Sequence, residues 1–467
     1  MWKTLRDGFP AVFSSVWSFL YRFSRIFAVD SIYLIRTLIE AHNKIRKVRL
    51  LTLALWVGFL GVRLSPVSAR TADRAVRVPT DTTEVSDSIP ATRFLHRLEF
   101  DAQPLFVLPT NVFVKGYNEA QQAVRAAGAA HVDYGIQLHP ATVSGRVYGA
   151  AYQGVGVGHY AFDNRRELGA AWAVYLYQGA RLFAFTPRLS LDYRWNFGFS
   201  FGWHPFDVDS NPYNRSLGSP FNAYLDANLM LRWAFSPQFD LTAGATFAHF
   251  SNGSTTIPNA GLNTLGLRVG LAYTFRREAD PFRRVTDGVA IPEFPRHWSY
   301  DLVAFGSWRQ RGYARAGEKV VIDAKYAVAG VSFAPMYNLD YRFRLGAALD
   351  AVYDASGNRV WVDESADELV LMPDVALRYQ LALGLSGRVE YVMPWLTLSA
   401  GVGYHVLSGG GDMRNFYQIL ALKVDLTHSA FLHVGYNLRN FHEPNYLMLG
   451  LGYRFHDLTP RLYRLLR

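Results

Sequence analysis

The chain has 467 residues, a formal net charge of +10, no Cys and 15% aromatic residues. The lack of thiols excludes a disulfide scaffold, thiolate catalysis and a cysteine-bound metal. The basic excess is local: residues 1–73 carry 11 Lys/Arg against 4 Asp/Glu, which points to a targeting segment rather than a nucleic-acid-binding surface.

In chain order, residues 1–43 read as a miscalled upstream extension or as a membrane-associated N-terminus. The first is preferred, because secretory signals sit at the very start of a chain. Residues 44–69 read as that signal peptide. Lys44, Arg46, Lys47 and Arg49 form the basic region, Leu50–Val62 is an uncharged apolar run of 13 residues, and Val67-Ser68-Ala69 is a small-residue cleavage site. Such a run is short for a membrane helix, which needs about 20 residues. Residues 70–93 are polar and poor in aromatics, which predicts a flexible leader.

The stretch Arg188–Trp203 settles the fold class. Leu189, Leu191, Tyr193, Trp195, Phe197, Phe199, Phe201 and Trp203 occupy the odd positions, and Arg188, Ser190, Asp192, Arg194, Asn196, Gly198, Ser200 and Gly202 the even ones. A period of two is that of a strand. Bulky apolar residues on one face and charge on the other predict lipid outside and a polar interior, as in an antiparallel transmembrane β-barrel.

Comparable runs occupy Val147–Phe162, Gly169–Phe183, Ala223–Phe235, Phe239–Asn252, Leu262–Phe275, Trp298–Arg309, Ala327–Tyr337, Tyr341–Tyr353, Leu381–Met393, Leu396–Leu407, Phe416–Leu426, Phe431–Leu438 and Tyr446–Phe455. Weaker runs at Leu95–Phe106 and His131–His139 would bring the total from 14 to 16 strands. A single barrel is favoured, with two eight-stranded units as the alternative. The predicted halves are residues 94–278 and 297–456, joined by 279–296 and followed by a basic tail, 457–467. A faint echo links Leu241-Thr242-Ala243-Gly244 with Leu398-Ser399-Ala400-Gly401, and Leu265–Leu271 with Leu420–Leu426.

The chemistry-bearing segment is His249-Phe250-Ser251-Asn252. Phe239, Leu241, Ala243, Ala245 and Phe247 share the parity of His249 and Ser251, so a nucleophile and a base face lipid. In the next run Asn263 continues the apolar series of Leu265, Leu267 and Val269. Polar groups in hydrocarbon cost a few kcal/mol each, which argues for a function. The turn at Ser236–Gln238 is short, and the connections 204–222 and 253–261 are longer. Short turns are periplasmic and long loops external, so the expected site lies at the external end.

His249-Phe250-Ser251-Asn252, then Asn259 and Asn263 before an alternating strand, resembles the lipid A 3-O-deacylases of the PagL type. The resemblance implies an outer-membrane enzyme that hydrolyses an ester-linked 3-hydroxyacyl chain of lipid A. It implies Ser251 as nucleophile and His249 as general base, with lipopolysaccharide as substrate and no cofactor or metal. Asn263 stands where that family carries an acid. Asn252, Gly253 and Asn259 are candidate oxyanion donors. The competing reading is a non-enzymatic porin or structural barrel.

Other motifs carry less. Gly198-Phe199-Ser200-Phe201-Gly202 has the spacing of a nucleophile elbow but sits inside a strand. Gly154, Gly156 and Gly158 lack the helix of a dinucleotide loop. His442-Glu443 lacks the second His of a zinc helix. Asp207, Asp209 and Asn211 read as a solvated loop before a cation or sugar site.

Overall fold

The computed structural model describes residues 94–140, 142–277, 291–315, 318–363, 368–371, 374–441 and 443–462. The expected extension, signal peptide and leader, most of the connecting segment and the last tail residues lie outside these. The strands are β1 (Phe94–Val107), β2 (Ala126–Leu138), β3 (Tyr152–Phe162), β4 (Gly169–Ala184), β5 (Leu189–Trp203), β6 (Asn222–Ala234), β7 (Phe239–Ser251), β8 (Leu262–Thr274), β9 (His297–Arg315), β10 (Glu318–Asn338), β11 (Phe343–Asp354), β12 (Val360–Asp363), β13 (Glu368–Leu371), β14 (Leu381–Val392), β15 (Leu396–Ser408), β16 (Phe416–Asp425), β17 (Ala430–Arg439) and β18 (Glu443–Phe455). Two short helices, α1 (Val143–Val147) and α2 (Arg165–Leu168), lie in connections of the first half.

The strands close two barrels, not one. β8 bonds back to β1, from Arg97↔Thr274 to Val107↔Thr264, and β18 bonds back to β9. A single barrel would require β8 to pair with β9, but both edges of β8 are already taken by β7 and β1. Each of the sixteen alternating runs falls on a barrel strand. Two details depart from expectation. The third strand begins at Tyr152 rather than Val147, because Thr142 caps α1 by accepting the Gly145 N–H at 3.0 Å. The hairpin β12–β13 stands apart from the barrel.

Eight strands leave an interior just wide enough for side chains. Here that space is filled with paired charge, which is how buried charge is tolerated. In the first barrel Arg97 bridges Glu99 at 3.1 Å and Asp240 at 3.0 Å, Arg194 meets Asp133 at 2.8 Å, and Arg268 meets Asp101 at 2.7 Å. In the second, Asp301 takes Arg454 at 2.6 Å and Lys423 at 2.7 Å. The wide lumen that a single closure of 14–16 strands would enclose is therefore replaced by two packed interiors. Outward residues such as Leu229, Leu265, Leu267 and Val269 are exposed. No helix among the described residues is long and apolar enough to cross a membrane.

The outward face of β5 does not all meet lipid, contrary to the sequence expectation. Trp195 points outward yet is buried against Met393, Leu396 and Leu422 of the second barrel. The Tyr193 hydroxyl donates to that of Tyr391 at 3.5 Å. The two barrels stand side by side, with the short turns 185–188, 235–238, 339–342 and 393–395 at one end. The internal echo joins the seventh and eighth strands of the first barrel to the fifth and sixth of the second. These are not equivalent positions, so shared barrel composition explains it.

Candidate active site

β7 and β8 bring the three polar side chains together by register. His249 lies directly opposite Asn263, and Ser251 follows two residues along the same outward face. Their even-numbered neighbours Ala248 and Phe250 point inward, where Phe250 packs on Tyr160, Trp203 and Tyr224. This aromatic plug fixes the end of β7, and with it the direction of the two flanking outward side chains.

His249 Nε2 lies 2.9 Å from Ser251 Oγ, and His249 Nδ1 lies 2.7 Å from Asn263 Oδ1. The Asn263 amide is oriented from its other side, where Nδ2 donates to Thr110 Oγ1 at 3.2 Å. With Oδ1 turned to the imidazole, only Nδ1–H can donate in that contact. Nε2 is then the lone-pair nitrogen, placed to accept the Ser251 hydroxyl proton. The arrangement has the geometry of a nucleophile–base–orienting group series, with a neutral amide in the third position.

The segment after Ser251 turns sharply. Gly253 and Ser254 both adopt left-handed backbone, with φ of +64° and +66°. The turn is held by the Asn252 side chain, whose Nδ2 donates to the Thr256 carbonyl at 2.9 Å. The Asn252 N–H is itself taken by Asn259 Oδ1 at 3.0 Å. Of the expected oxyanion donors, the Asn252 N–H thus serves the turn. The Gly253 N–H and the Asn259 Nδ2 group remain as candidates. Gly261, at φ +73°, backs the imidazole: a Cβ there would stand 3.1 Å from His249 Cε1. Asn111 fixes Gly261 by donating to its carbonyl at 2.9 Å.

Thr110 and Asn111 escaped the sequence reading. They come from the β1–β2 connection, far away in the chain, and no local pattern marks them. The elbow-like Ser200 is buried inside the first barrel, where it accepts the Trp203 indole N–H at 2.9 Å. Asp207 accepts the Ser210 N–H and hydroxyl, each at 2.8 Å, and the Asp209 N–H at 3.2 Å. Those bonds, the Ser210 N–H first, hold its carboxyl below the usual carboxylate range. Asp207 therefore reads as turn chemistry, and Asn211 Nδ2 donates to the Glu167 carbonyl at 2.9 Å and the His204 carbonyl at 3.1 Å. Among the described residues no group of three His, Asp or Glu is placed to hold a metal ion.

Two family models match the chain. That of the lipid A 3-O-deacylase (PagL) covers residues 135–272, and that of the acyloxyacyl hydrolase C-terminal domain covers 298–457. Among curated proteins none matches. Similar solved structures include Neisserial surface protein A, at 12% identity over 38% of this chain and 97% of that one, with a TM-score of 0.25. The ferric enterobactin receptor PfeA is 11% identical over 73% of this chain and 44% of that one, with a TM-score of 0.22. The β domain of the Bordetella autotransporter BrkA is 10% identical over 78% and 100%, with a TM-score of 0.20.

Proposed function

The chain belongs to the family of PagL-type lipid A 3-O-deacylases and acyloxyacyl hydrolases, and on that premise we propose that it cleaves an ester-linked 3-hydroxyacyl chain of lipid A by a Ser251–His249 mechanism. The family's substrate is lipid A, and the fold is that of an outer-membrane protein. The observation that carries the reading is the 2.9 Å contact between His249 Nε2 and Ser251 Oγ on an outward strand face. The substrate is itself a membrane lipid, so a site on the outside wall meets it without extraction. The longer connections at the Ser251 end support placing that end in the external leaflet, which is built of lipopolysaccharide.

In the first step Ser251 Oγ bonds to the ester carbonyl carbon as its proton passes to His249 Nε2. The carbonyl oxygen becomes an oxyanion, for which the Gly253 N–H and Asn259 Nδ2 are the donors in this reading. Collapse breaks the bond to the sugar oxygen, which leaves with the proton from His249. Water then gives a proton to His249 and its oxygen to the acyl carbon; the bond to Ser251 Oγ breaks, Oγ takes the proton back from His249, and the hydroxy fatty acid is released. Asn263 keeps His249 in the required tautomer throughout. Asn263 supplies no charge to the transient imidazolium.

Mass spectrometry of lipid A from cells with and without the protein tests this reading. Wild type removes one hydroxyacyl chain, and Ser251→Ala and His249→Ala do not, while both variants still insert as barrels. Unchanged release by both variants refutes the site assignment. An unmodified lipid A profile with wild type favours a non-enzymatic barrel.

A further inference from the structure

The outward face of β9 reads Tyr300, Leu302, Ala304, Gly306, Trp308 and then Gln310. An amide at the end of an apolar outward series raises the same question as His249 and Ser251, because an unbonded polar group in hydrocarbon is costly. Gln310 is satisfied by the first barrel. Its backbone N–H donates to the Ser254 carbonyl at 2.9 Å, and its side-chain Oε1 accepts the Ile257 N–H at 2.9 Å. Only 6% of its surface is exposed.

Two further outward residues of the second barrel reach the same loop. Tyr436 of β17 and Leu447 of β18 are register partners. A Cβ added to Gly253 would stand 2.8 Å from Leu447 Cδ2 and 3.3 Å from Tyr436 Cε2. The barrels therefore approach so closely at Gly253 that a Cβ there would require the Leu447 side chain to shift. The loop with two successive left-handed residues is gripped by Asn252 and Asn259 from its own side and by Gln310, Tyr436 and Leu447 from the other. Strained backbone persists where its surroundings over-determine it, and here the second barrel supplies part of that restraint.

We propose that the second barrel is a positioning element of the hydrolase: through Gln310, Tyr436 and Leu447 it sets the Gly253–Ile257 loop and so aims the Gly253 N–H at the developing oxyanion. This rests on the reading of Ser251 as nucleophile. It gives residues 297–455 a part in the reaction without a nucleophile of their own. Gln310 touches neither substrate nor the reacting atoms; it acts through the loop.

The test uses the full-length protein in detergent micelles with purified lipopolysaccharide. Gln310→Met keeps side-chain length and removes the acceptor for the Ile257 N–H, and Gln310→Glu restores it. A misplaced donor costs on the order of 10²-fold in rate. Gln310→Met is therefore expected to lower kcat by about 10- to 100-fold with KM changed by less than about threefold, and Gln310→Glu to recover most of it. Labelling of Ser251 by a fluorophosphonate should slow in parallel with kcat. Unchanged kcat and labelling in Gln310→Met, with Ser251→Ala inactive, overturns the positioning role and leaves the nucleophile standing. Activity in Ser251→Ala overturns both. If Gln310→Met does not insert as a barrel, Leu447→Ala, which loosens the Gly253 contact and keeps both hydrogen bonds, is expected to lower kcat several-fold. Unchanged kcat there also overturns the proposal.

Discussion

Asn263→Asp should make the enzyme faster. The substitution is nearly isosteric, and both contacts of the side chain survive it. One carboxylate oxygen takes the place of Oδ1, 2.7 Å from His249 Nδ1. The other replaces Nδ2, 3.2 Å from the Thr110 hydroxyl, which can rotate to donate. The reverse change in a serine protease costs about 10⁴ in kcat, largely because the amide selects the wrong tautomer. That part of the loss is absent here, since Thr110 already turns the Asn263 oxygen toward the imidazole. What remains is charge. An imidazolium and a carboxylate with charge centres about 4 Å apart attract by about 4 kcal/mol at an effective dielectric of 20. Desolvating the new carboxylate at this buried position offsets part of this. A net gain of about 1–3 kcal/mol in the transition state corresponds to roughly 10- to 100-fold in kcat. Timed mass spectrometry of lipid A gives the rate. A kcat equal to or below wild type in a correctly inserted Asn263→Asp refutes the assignment of Asn263 as the group that orients His249, as does full activity in Asn263→Ala.

Three further outcomes follow from the same geometry. Gly261→Ala forces a side chain into left-handed backbone, at about 1–2 kcal/mol, and brings its Cβ to 3.1 Å from His249 Cε1; kcat should fall with barrel assembly intact, as read by heat-modifiable gel mobility. Ser200→Ala should leave lipid A deacylation at the wild-type rate, because Ser200 bonds Trp203 inside the barrel rather than facing substrate; loss of activity in a folded variant would reinstate it. Beyond the end of β18, burial pushes the Asp457 carboxyl up, but Arg344, Arg454 and Arg461 outweigh this and hold it at about 2, below the usual 3.8. The folded state therefore prefers the ionised form, so this stability is present above about pH 4 and is lost as pH falls through about 2. Asp457→Asn should cost about 2 kcal/mol near neutral pH, and in urea titrations of reconstituted protein the gap to wild type should close over that acid window.

Much of the candidate site's geometry was legible because strand parity is local. One residue of shift exchanges the faces of a strand, so the apolar series ending in His249 and Ser251 already fixes their direction. Asn263 follows by the same rule in β8. The number of barrels was not legible, since closure is decided by pairs such as Arg97↔Thr274, which lie far apart in the chain and leave no mark on either strand. The burial of Trp195 was hidden for a related reason: an outward aromatic has the same sequence pattern whether it meets lipid or a neighbouring barrel.

Gln310 shows where the parity rule reaches further than a motif. It ends an outward apolar series as His249 does, and at the same end of its barrel, yet no recognisable spacing surrounds it. In a membrane wall every outward polar side chain must be bonded by protein, reach the headgroups or carry a cost. Each such residue is thus a demand for a partner, whatever its motif. The partner of Gln310 is the loop beside Ser251, and that of His249 is Asn263 across the register. The two demands are met at one place, where Gly253 lets the walls touch. A chain that needed only the first barrel for catalysis would have no reason to keep an amide on the outer face of the second at this point, and replacing it would change nothing but stability. Fluorophosphonate reactivity per folded molecule in the Gln310 variants decides between these cases, because a stability loss lowers apparent kcat only through the amount of active enzyme and leaves that reactivity unaltered.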